Sequence, residues 1–146
     1  MTRAPWNTRA WQPCAFVSSP IDSPLAHAAA REAAARIRAA IAARGQARIV
    51  AATGTSQVAF LDQLTPQTDL DWSGVELFHL DEYIGLPEDH PASFRRYLRK
   101  RLIQPVGIVR FHLIDGHGDP DDALRRARGV QAAVKGERVV GRWLIN

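Results

Sequence analysis

Short apolar runs alternate with helical patterns along this chain, and this alternation limits its fold more than any other feature. Runs typical of buried strands occupy residues 47–52, 75–80 and 109–114. Each run is followed by apolar residues at helical spacing, over residues 57–64, 93–103 and about 121–134. Strands that alternate with helices pair in parallel. The sequence therefore predicts an α/β, doubly wound fold with a mostly parallel sheet and helices on both faces.

An alanine-rich helix precedes the first strand and carries clear start and stop signals. Ser23 suits an N-cap, and Pro24 suits the first helical position, where its missing N–H would be unpaired anyway. Gly45 is typical of the residue that ends a helix. A repeat of four residues predicts its buried stripe, made of Leu25, Ala29, Ala33, Ile37 and Ile41.

The composition fits one globular domain. The chain has 146 residues, 46% hydrophobic and 23% charged, and no apolar run approaches the roughly 20 residues of a membrane span. Cys14 is the single cysteine, so neither an intrachain disulfide nor a cysteine-based zinc site can form. We expect a flexible arm at 1–13 and one α/β domain over 14–146, with added strands near 15–17 and 139–145. Because the first residues lack a signal-peptide pattern, we expect a cytoplasmic location.

Charge is divided unevenly along the chain. Residues 1–91 carry 7 Lys/Arg and 10 Asp/Glu, whereas residues 92–146 carry 12 and 5, which gives the second part a net charge of +7. A basic segment can meet nucleic acid or an anionic substrate. The basic run from Arg95 to Arg101 lies on a predicted helix and has no nucleic-acid motif around it. We interpret it as a solvated helix face and expect no nucleic-acid partner.

The turn Thr53-Gly54-Thr55-Ser56 joins the strand predicted at 47–52 to the N-terminus of the helix predicted at 57–64. Exposed N–H groups and the positive end of the helix dipole favour an anion there. Gly54 would allow a phosphate to approach the backbone, and the three hydroxyls add donors. The alternative is a plain turn in which Thr55 or Ser56 only caps the helix. The terminal Gly-Lys pair of a Walker loop is missing.

A second polar loop follows the strand at 75–80 and begins with Asp81, Glu82 and Tyr83. It lies at the carboxyl end of a predicted parallel strand, where open α/β sheets bind ligands. Two carboxylates, a tyrosine and the nearby His79 could transfer protons. Adjacent residues of an extended chain point opposite ways, so one carboxylate would face the site and the other would anchor the loop. Alternatively, Asp81 caps a turn and His79 packs in the core.

The other histidines and acidic residues give no metal signal. None of these histidines has a spacing from a second ligand type that would argue for a metal site. The acidic turn from Asp115 to Asp122 does not have EF-hand spacing, and helix capping explains it better than cation binding. We therefore expect no metal site.

The two polar loops and the following helix start resemble the glucosamine-6-phosphate deaminase/isomerase family. The similarity is carried by Ala-Ala-Thr-Gly-Thr-Ser-Gln at 51–57, by Val-Glu-Leu-Phe-His-Leu-Asp-Glu-Tyr-Ile-Gly-Leu-Pro at 75–87, and by His-Pro-Ala-Ser-Phe at 90–94. The Asp-Glu-Tyr-x-Gly-Leu-Pro string followed by His-Pro-x-Ser is the specific part. The resemblance covers roughly residues 20–125.

This resemblance implies a modified Rossmann-like fold. It also implies conversion of D-glucosamine 6-phosphate and water to D-fructose 6-phosphate and ammonia, without a redox cofactor. In this family the aspartate of the string, here Asp81, moves a proton from C2 to C1 of the ring-opened sugar. The turn from Thr53 to Ser56 corresponds to the phosphate cradle, and Glu82 and Tyr83 carry over only as loop anchors. The implied partner is a small-molecule sugar phosphate of amino-sugar catabolism, not a membrane or a nucleic acid.

The sequence departs from the family pattern after residue 128. The family continues with a Gly-His-x-Ala-Phe-Asn segment, which supplies a ring-opening histidine and its acidic partners, and later with basic phosphate ligands. Residues 129–146 match none of these. We therefore expect a truncated or frame-shifted chain that is weak or inactive alone. An open sheet edge would follow from the lost elements, so we also expect self-association or a complementing chain.

Two other functions fit the same residues. A 6-phosphogluconolactonase-like hydrolase shares the related fold and also binds a sugar phosphate, although the string from Asp81 to Pro87 favours the deaminase. A non-catalytic remnant would bind a sugar phosphate or a partner without moving a proton at C2.

Overall fold

The computed structural model describes residues 23–119 together with 121, 122 and 125. The predicted arm at 1–13 and the strands predicted near 15–17 and 139–145 lie outside these residues. Asp121 and Asp122 are helical, as predicted, and the Asp121 N–H donates to Asp119 Oδ1 (3.0 Å) in the manner of an N-cap. No helix in the described ranges combines the length and apolarity that a bilayer crossing requires.

Within the described residues, three parallel strands form the sheet, and they lie side by side in chain order. β1 spans Ala47–Ala51, β2 spans Val75–His79 and β3 spans Arg110–His112. The last pair of β1 and β2 in this register is Ala51 opposite His79. The parallel sheet confirms the predicted α/β class, although β3 is shorter than the apolar run at 109–114.

The helix before β1, α1, spans Pro24–Arg44 and has the predicted start and stop. Gly45 adopts a left-handed conformation (φ 74°), and its N–H donates to Ile41 O (2.7 Å). The predicted stripe is wrong at its beginning, because Leu25 is 74% exposed. A strict four-residue repeat drifts around a helix of 3.6 residues per turn, so the buried face mixes steps of three and four. Its members are Ala26, Ala30, Ala33, Ala34, Ile37 and Ala40.

The crossover from β1 to β2 contains α2, which spans Thr55–Leu64. This helix begins two residues before the predicted range of 57–64. A short 3₁₀ turn, Trp72–Gly74, then leads directly into β2. Trp72 is 8% exposed, so the turn belongs to the core and sets the level at which β2 enters the sheet.

The crossover from β2 to β3 is one helical segment with an irregular centre. It comprises α3, Phe94–Leu98, a π-helical turn, Arg99–Ile103, and α4, Gln104–Val106. The sequence predicted one regular helix over 93–103. The wider π turn accommodates one extra residue, and both Leu102 and Ile103 are buried within it.

The core lies between the sheet and the described helices. The buried residues of α1, α2 and the β2–β3 crossover form one cluster with the sheet, so the described helices cover one face, and the predicted helices on the second face are not among the described residues. The strand residues that face this core include Ala47, Val75 and Leu77, each 0% exposed. Helical side chains from α1, α2 and the β2–β3 crossover pack against them, among them Ile37, Leu61, Leu64, Leu98 and Leu102. This packing holds β1 and β2 in place and thereby positions the loops that follow them.

Candidate active site

The turn after β1 and the loop after β2 leave the sheet side by side. Ala51 lies opposite His79, and one step further the Leu80 N–H donates to Ala51 O (3.1 Å). Thr53 and Asp81 each follow this last pair by two residues. Because neighbouring strands are about 4.8 Å apart, the two loops start at the same level of the same sheet edge. Carboxyl edges of this kind are where open α/β sheets bind ligands.

The turn after β1 presents the N-terminus of α2 without a side-chain cap. Gly54 is the N-cap residue, and its carbonyl accepts the Gln57 N–H (2.9 Å). The alternative in which Thr55 or Ser56 caps this helix is therefore wrong, since both residues are inside its first turn. Both are exposed, and both lie at the sheet edge from which the loop after β2 also leaves. This arrangement suits a phosphate group.

Two details of this turn point toward a ligand rather than toward the fold. Gly54 has extended backbone angles (φ −123°, ψ 167°) that any residue can adopt. A Cβ there would meet nothing closer than Ser56 Oγ at 3.7 Å, so folding does not require glycine. Within the described part of the chain, Thr53 Oγ1 is buried and has no hydrogen-bond partner. A buried hydroxyl normally has a partner, which a bound oxyanion could supply.

Asp81 lies two residues beyond the end of β2 and is exposed at the sheet edge. Partial desolvation raises the pKa of its carboxyl group, and the negative charge of Glu82 raises the pKa further. A higher pKa makes the ionised carboxylate a stronger base than an ordinary aspartate.

Glu82 turns the other way and is locked into the protein, with a side chain that is 0% exposed. Its carboxylate accepts hydrogen bonds from the N–H groups of Tyr83 (2.9 Å), Phe94 (3.0 Å) and Arg95 (2.9 Å). It also accepts one from the Ser93 hydroxyl (3.0 Å). Burial acts to raise the pKa of Glu82, but these hydrogen bonds outweigh it and hold the pKa below its usual value. The carboxylate therefore stays charged and ties the loop to the start of α3.

Tyr83 contributes mainly through its backbone. Its carbonyl packs against Gly116 in the turn after β3, and the Gly85 N–H donates to Gly116 O (2.6 Å). Its ring is half exposed and lies against Phe94, with ring centres 4.7 Å apart. The loop is thus held between α3 and the turn after β3.

His79 is buried at the end of β2, with 5% of its surface exposed. Neither ring nitrogen has a hydrogen-bond partner within the described residues. Burial lowers the pKa of His79 to about 4, with opposing contributions from the charges of Glu82, which raises it, and Arg95, which lowers it further. The imidazole is therefore neutral at physiological pH. The sequence analysis gave packing in the core as the alternative for His79, and its burial agrees with that alternative.

The sequence analysis missed the residue that joins these loops, Arg95. This side chain is 9% exposed, and its Nη1 lies 2.7 Å from Asp115 Oδ1. Its Nη2 donates to Leu86 O (2.9 Å), and its Nε lies 3.4 Å from Glu82 Oε2. In the sequence Arg95 stood within a basic run that we interpreted as solvated. No sequence signal separates it from its exposed neighbours.

In the acidic turn after β3, Asp115 makes contacts within the protein that stabilise the turn. Asp115 pairs with Arg95 and accepts the His117 N–H (3.1 Å). His112 lies 2.9 Å from Glu76 and stacks on Phe78. Across residues 23–119 and the three further described positions, no three His, Cys, Asp or Glu side chains converge as they would around a metal ion.

A family model described as "Glucosamine-6-phosphate isomerases/6-phosphogluconolactonase" matches residues 21–139. The match contains β1, β2, β3 and both loops of the candidate site.

Curated relatives with similar sequences are glucosamine-6-phosphate deaminases. Glucosamine-6-phosphate deaminase 2 of Bacillus subtilis is 30% identical over 116 residues, which cover 70% of this chain and 47% of the relative. The Exiguobacterium sp. deaminase is 40% identical over 77 residues, or 53% of this chain and 30% of the relative. The chain thus spans about half or less of the length of the relatives it matches.

Similar solved structures include both a glucosamine-6-phosphate deaminase and 6-phosphogluconolactonases. A monomeric glucosamine-6-phosphate deaminase aligns with a TM-score of 0.66 and 26% identity, over 75% of this chain and 46% of the other. The 6-phosphogluconolactonase of Thermotoga maritima aligns with a TM-score of 0.67 and 18% identity, over 75% and 51%. That of Shewanella baltica gives 0.62 and 23%, over 78% and 48%. The predicted Rossmann-like α/β fold is thereby confirmed.

Proposed function

The chain belongs to the family of glucosamine-6-phosphate isomerases and 6-phosphogluconolactonases, and on this premise we propose that it is glucosamine-6-phosphate deaminase-like. In the proposed reaction, glucosamine 6-phosphate and water give fructose 6-phosphate and ammonia. The described residues would supply the phosphate cradle and the base. Full turnover belongs to the proposal, since the chain spans about half the length of its relatives.

One observation carries this proposal: Thr53 and Asp81 begin neighbouring loops at one level of the sheet edge. A sugar phosphate could dock its phosphate on the N–H groups of the uncapped α2 start. The other end of the same molecule would then lie beside the Asp81 carboxylate. Holding a reacting carbon next to a base in this way lowers the entropic cost of proton transfer.

Asp81 would act as a base and then as an acid. Its carboxylate takes the proton from C2 of the open-chain sugar, and the C2–H electron pair forms a C1=C2 double bond while the C1 oxygen takes up a proton. Asp81 then returns its proton to C1, which leaves an iminium group at C2. Water adds at C2 and ammonia leaves. The raised pKa of Asp81 supports the first step, because it strengthens the carboxylate as a base.

We propose that proton exchange at C2 can be separated from full turnover in this chain. The ring-opening histidine segment expected from the family is absent from residues 129–146. Exchange at C2 can still draw on the open-chain sugar present in solution. The deamination rate of the 146-residue protein is therefore expected to be low.

The test is NMR of glucosamine 6-phosphate in heavy water with the purified 146-residue protein. We expect the C2 proton signal to decay in the presence of the wild-type protein and to persist with Asp81→Asn. Asp89→Asn is the matched control, because this exposed carboxylate lies in the same loop. Sugar binding by wild type without any C2 exchange would instead support the non-catalytic remnant.

A lactonase-like hydrolase is the second candidate, and two 6-phosphogluconolactonase folds of similar shape favour its inclusion. The two candidates differ in chemistry, since lactone hydrolysis breaks an ester and leaves every C–H bond intact. Incubation with 6-phosphogluconolactone, beside the C2 exchange measurement, separates them. Lactone hydrolysis without C2 exchange would favour the hydrolase.

Association with itself or with a complementing chain is also part of the proposal. Leu80 and Ile84, which flank Asp81 in the loop after β2, are 47% and 76% exposed and support it. Exposed apolar side chains of this kind beside a site favour burial against another chain. Sedimentation over a range of concentrations tests this expectation, and a monomer at every concentration contradicts it.

A further inference from the structure

The guanidinium of Arg95 joins three separate segments near the candidate base. It reaches Glu82 in the loop after β2, the Leu86 carbonyl further along that loop, and Asp115 in the turn after β3. Each contact uses a different nitrogen of the planar fork. A lysine, which carries its charge on one nitrogen, cannot reproduce this set.

We propose that Arg95 is a positioning residue, which sets the direction of the Asp81 carboxylate by fixing the Glu82 loop against the turn after β3. This inference rests on the proposed function for its catalytic consequence, but its geometric part is independent. Arg95 acts through Glu82, whose carboxylate is adjacent in sequence to Asp81 and is fully buried. Thus a rotation of the Glu82 backbone would carry Asp81 with it.

Three observations support the role. The carboxylate of Glu82 already has four hydrogen-bond donors, so the Arg95 side chain mainly provides the opposite charge. The bond from Gly85 to the Gly116 carbonyl shows that the two loops meet directly. Asp115 then completes the bridge, and the hydrogen bond from the His117 N–H, followed by the charge of Arg95, holds the pKa of Asp115 below its usual value. Arg95 contacts both sides of this meeting point.

The phosphate turn and this bridge belong to different crossovers of the sheet. Its residues, Thr53 to Ser56, begin α2, whereas Arg95 lies in α3 on the following crossover. Loss of Arg95 should therefore separate two properties that simple unfolding would abolish together. Phosphate binding should persist while proton transfer at C2 declines.

The experiment compares Arg95→Lys with wild type by amide hydrogen exchange and by C2 exchange of glucosamine 6-phosphate. We expect the Tyr83, Gly85 and Phe94 amides to exchange about 10-fold faster, with those of β2 unchanged. C2 exchange should fall about 100-fold while glucosamine 6-phosphate binding is unchanged, because a small misplacement of a reacting group has effects of this size. Arg101→Met is the control. Arg101 lies on the same helical segment as Arg95 and forms a surface ion pair with Asp62 of α2.

Asp115→Asn keeps the experiment decisive if Arg95→Lys does not fold. It removes the negative charge that pairs with Arg95, at a half-exposed position, and should accelerate the Gly85 amide in the same way. Faster exchange throughout the chain, or unchanged exchange in the loop, would overturn the positioning role. If wild type shows no C2 exchange, the proposed function fails, while the amide pattern still decides whether Arg95 fixes the loop.

Discussion

Gly116 packs directly against the main-chain carbonyl of Tyr83, so the turn after β3 and the loop after β2 touch backbone to backbone at this point. A methyl group at Gly116 would overlap that carbonyl oxygen and lie 2.7 Å from Glu82 Cγ. Backbone cannot move aside as a flexible side chain can. The contact explains why this position requires glycine.

Gly116→Ala should destabilise the protein by about 1–3 kcal/mol, as expected for overpacking at a rigid site. Urea denaturation measures the change. Gly118→Ala is the control in the same turn, because its Cβ would meet only the Asp115 side chain, with Oδ2 at 3.3 Å. Equal stability of the two variants would contradict the backbone contact.

Glu82→Gln should cost about 3 kcal/mol, because it removes the buried carboxylate beside Arg95 and leaves that guanidinium with the half-exposed Asp115 as its charge partner. The amide would also turn an NH₂ group toward donors. The lowered pKa of Glu82 adds a pH signature: its stabilisation is present above the unfolded value of 4.5 and is lost as pH falls through the folded value. Denaturation at pH 7 and pH 4 checks both effects.

The matched control for this prediction is Glu88→Gln. Glu88 pairs with Arg99 in the same loop region, but both side chains are more than a third exposed. An exposed pair contributes under about 1 kcal/mol. A similar loss from both substitutions would argue against the buried role of Glu82.

His79 should make the protein less stable as pH falls from 6.5 toward 4. The pKa of the buried ring is about 4 against 6.5 when unfolded, so in this window the unfolded chain binds a proton that the folded chain does not. The loss reaches up to about 3 kcal/mol at the lower end. His79→Gln should flatten this slope, as measured by urea denaturation between pH 7 and pH 5. His117→Gln, at an exposed position, should retain it.

Gly54→Ala should weaken binding of glucosamine 6-phosphate about 10-fold or more and leave stability unchanged, because the new methyl would occupy the ligand side of the turn. Isothermal titration and denaturation report the two properties. Gly45→Ala provides the reverse case: its φ of 74° makes alanine strained at the end of α1, far from this turn. Retained phosphate affinity in Gly54→Ala would argue against a backbone cradle.

Local patterns were sufficient to predict much of the fold. The start of α1 at Ser23 and Pro24 and its end at Gly45 depend on interactions within one turn, which sequence spacing records. The buried face was less predictable, because the four-residue repeat from Leu25 drifts away from the core. The π turn at Arg99–Ile103 also escaped prediction, since it depends on how Leu102 and Ile103 meet the sheet.

The candidate site divides in the same way. Thr53 to Ser56 and Asp81 could be predicted to lie together, because both follow the carboxyl ends of parallel strands. The bridge from Arg95 to Asp115 could not be predicted. It joins side chains that are 20 residues apart, and their meeting depends on the conformations of irregular loops. The contact of Gly116 with Tyr83 depends on the same loop conformations. Tertiary contacts of this kind leave no periodic trace in a single sequence.

The two loops of the site therefore differ in their capacity to change during evolution. The Glu82 loop packs between α3 and Gly116, a position that tolerates no side chain. Most substitutions there would therefore destabilise the fold and would not simply change the chemistry of the site. The Gly54 turn is open, and the fold places few demands on it. New ligand preferences would thus arise more readily by substitution in residues 53–56, while the proton-transferring side remains nearly fixed.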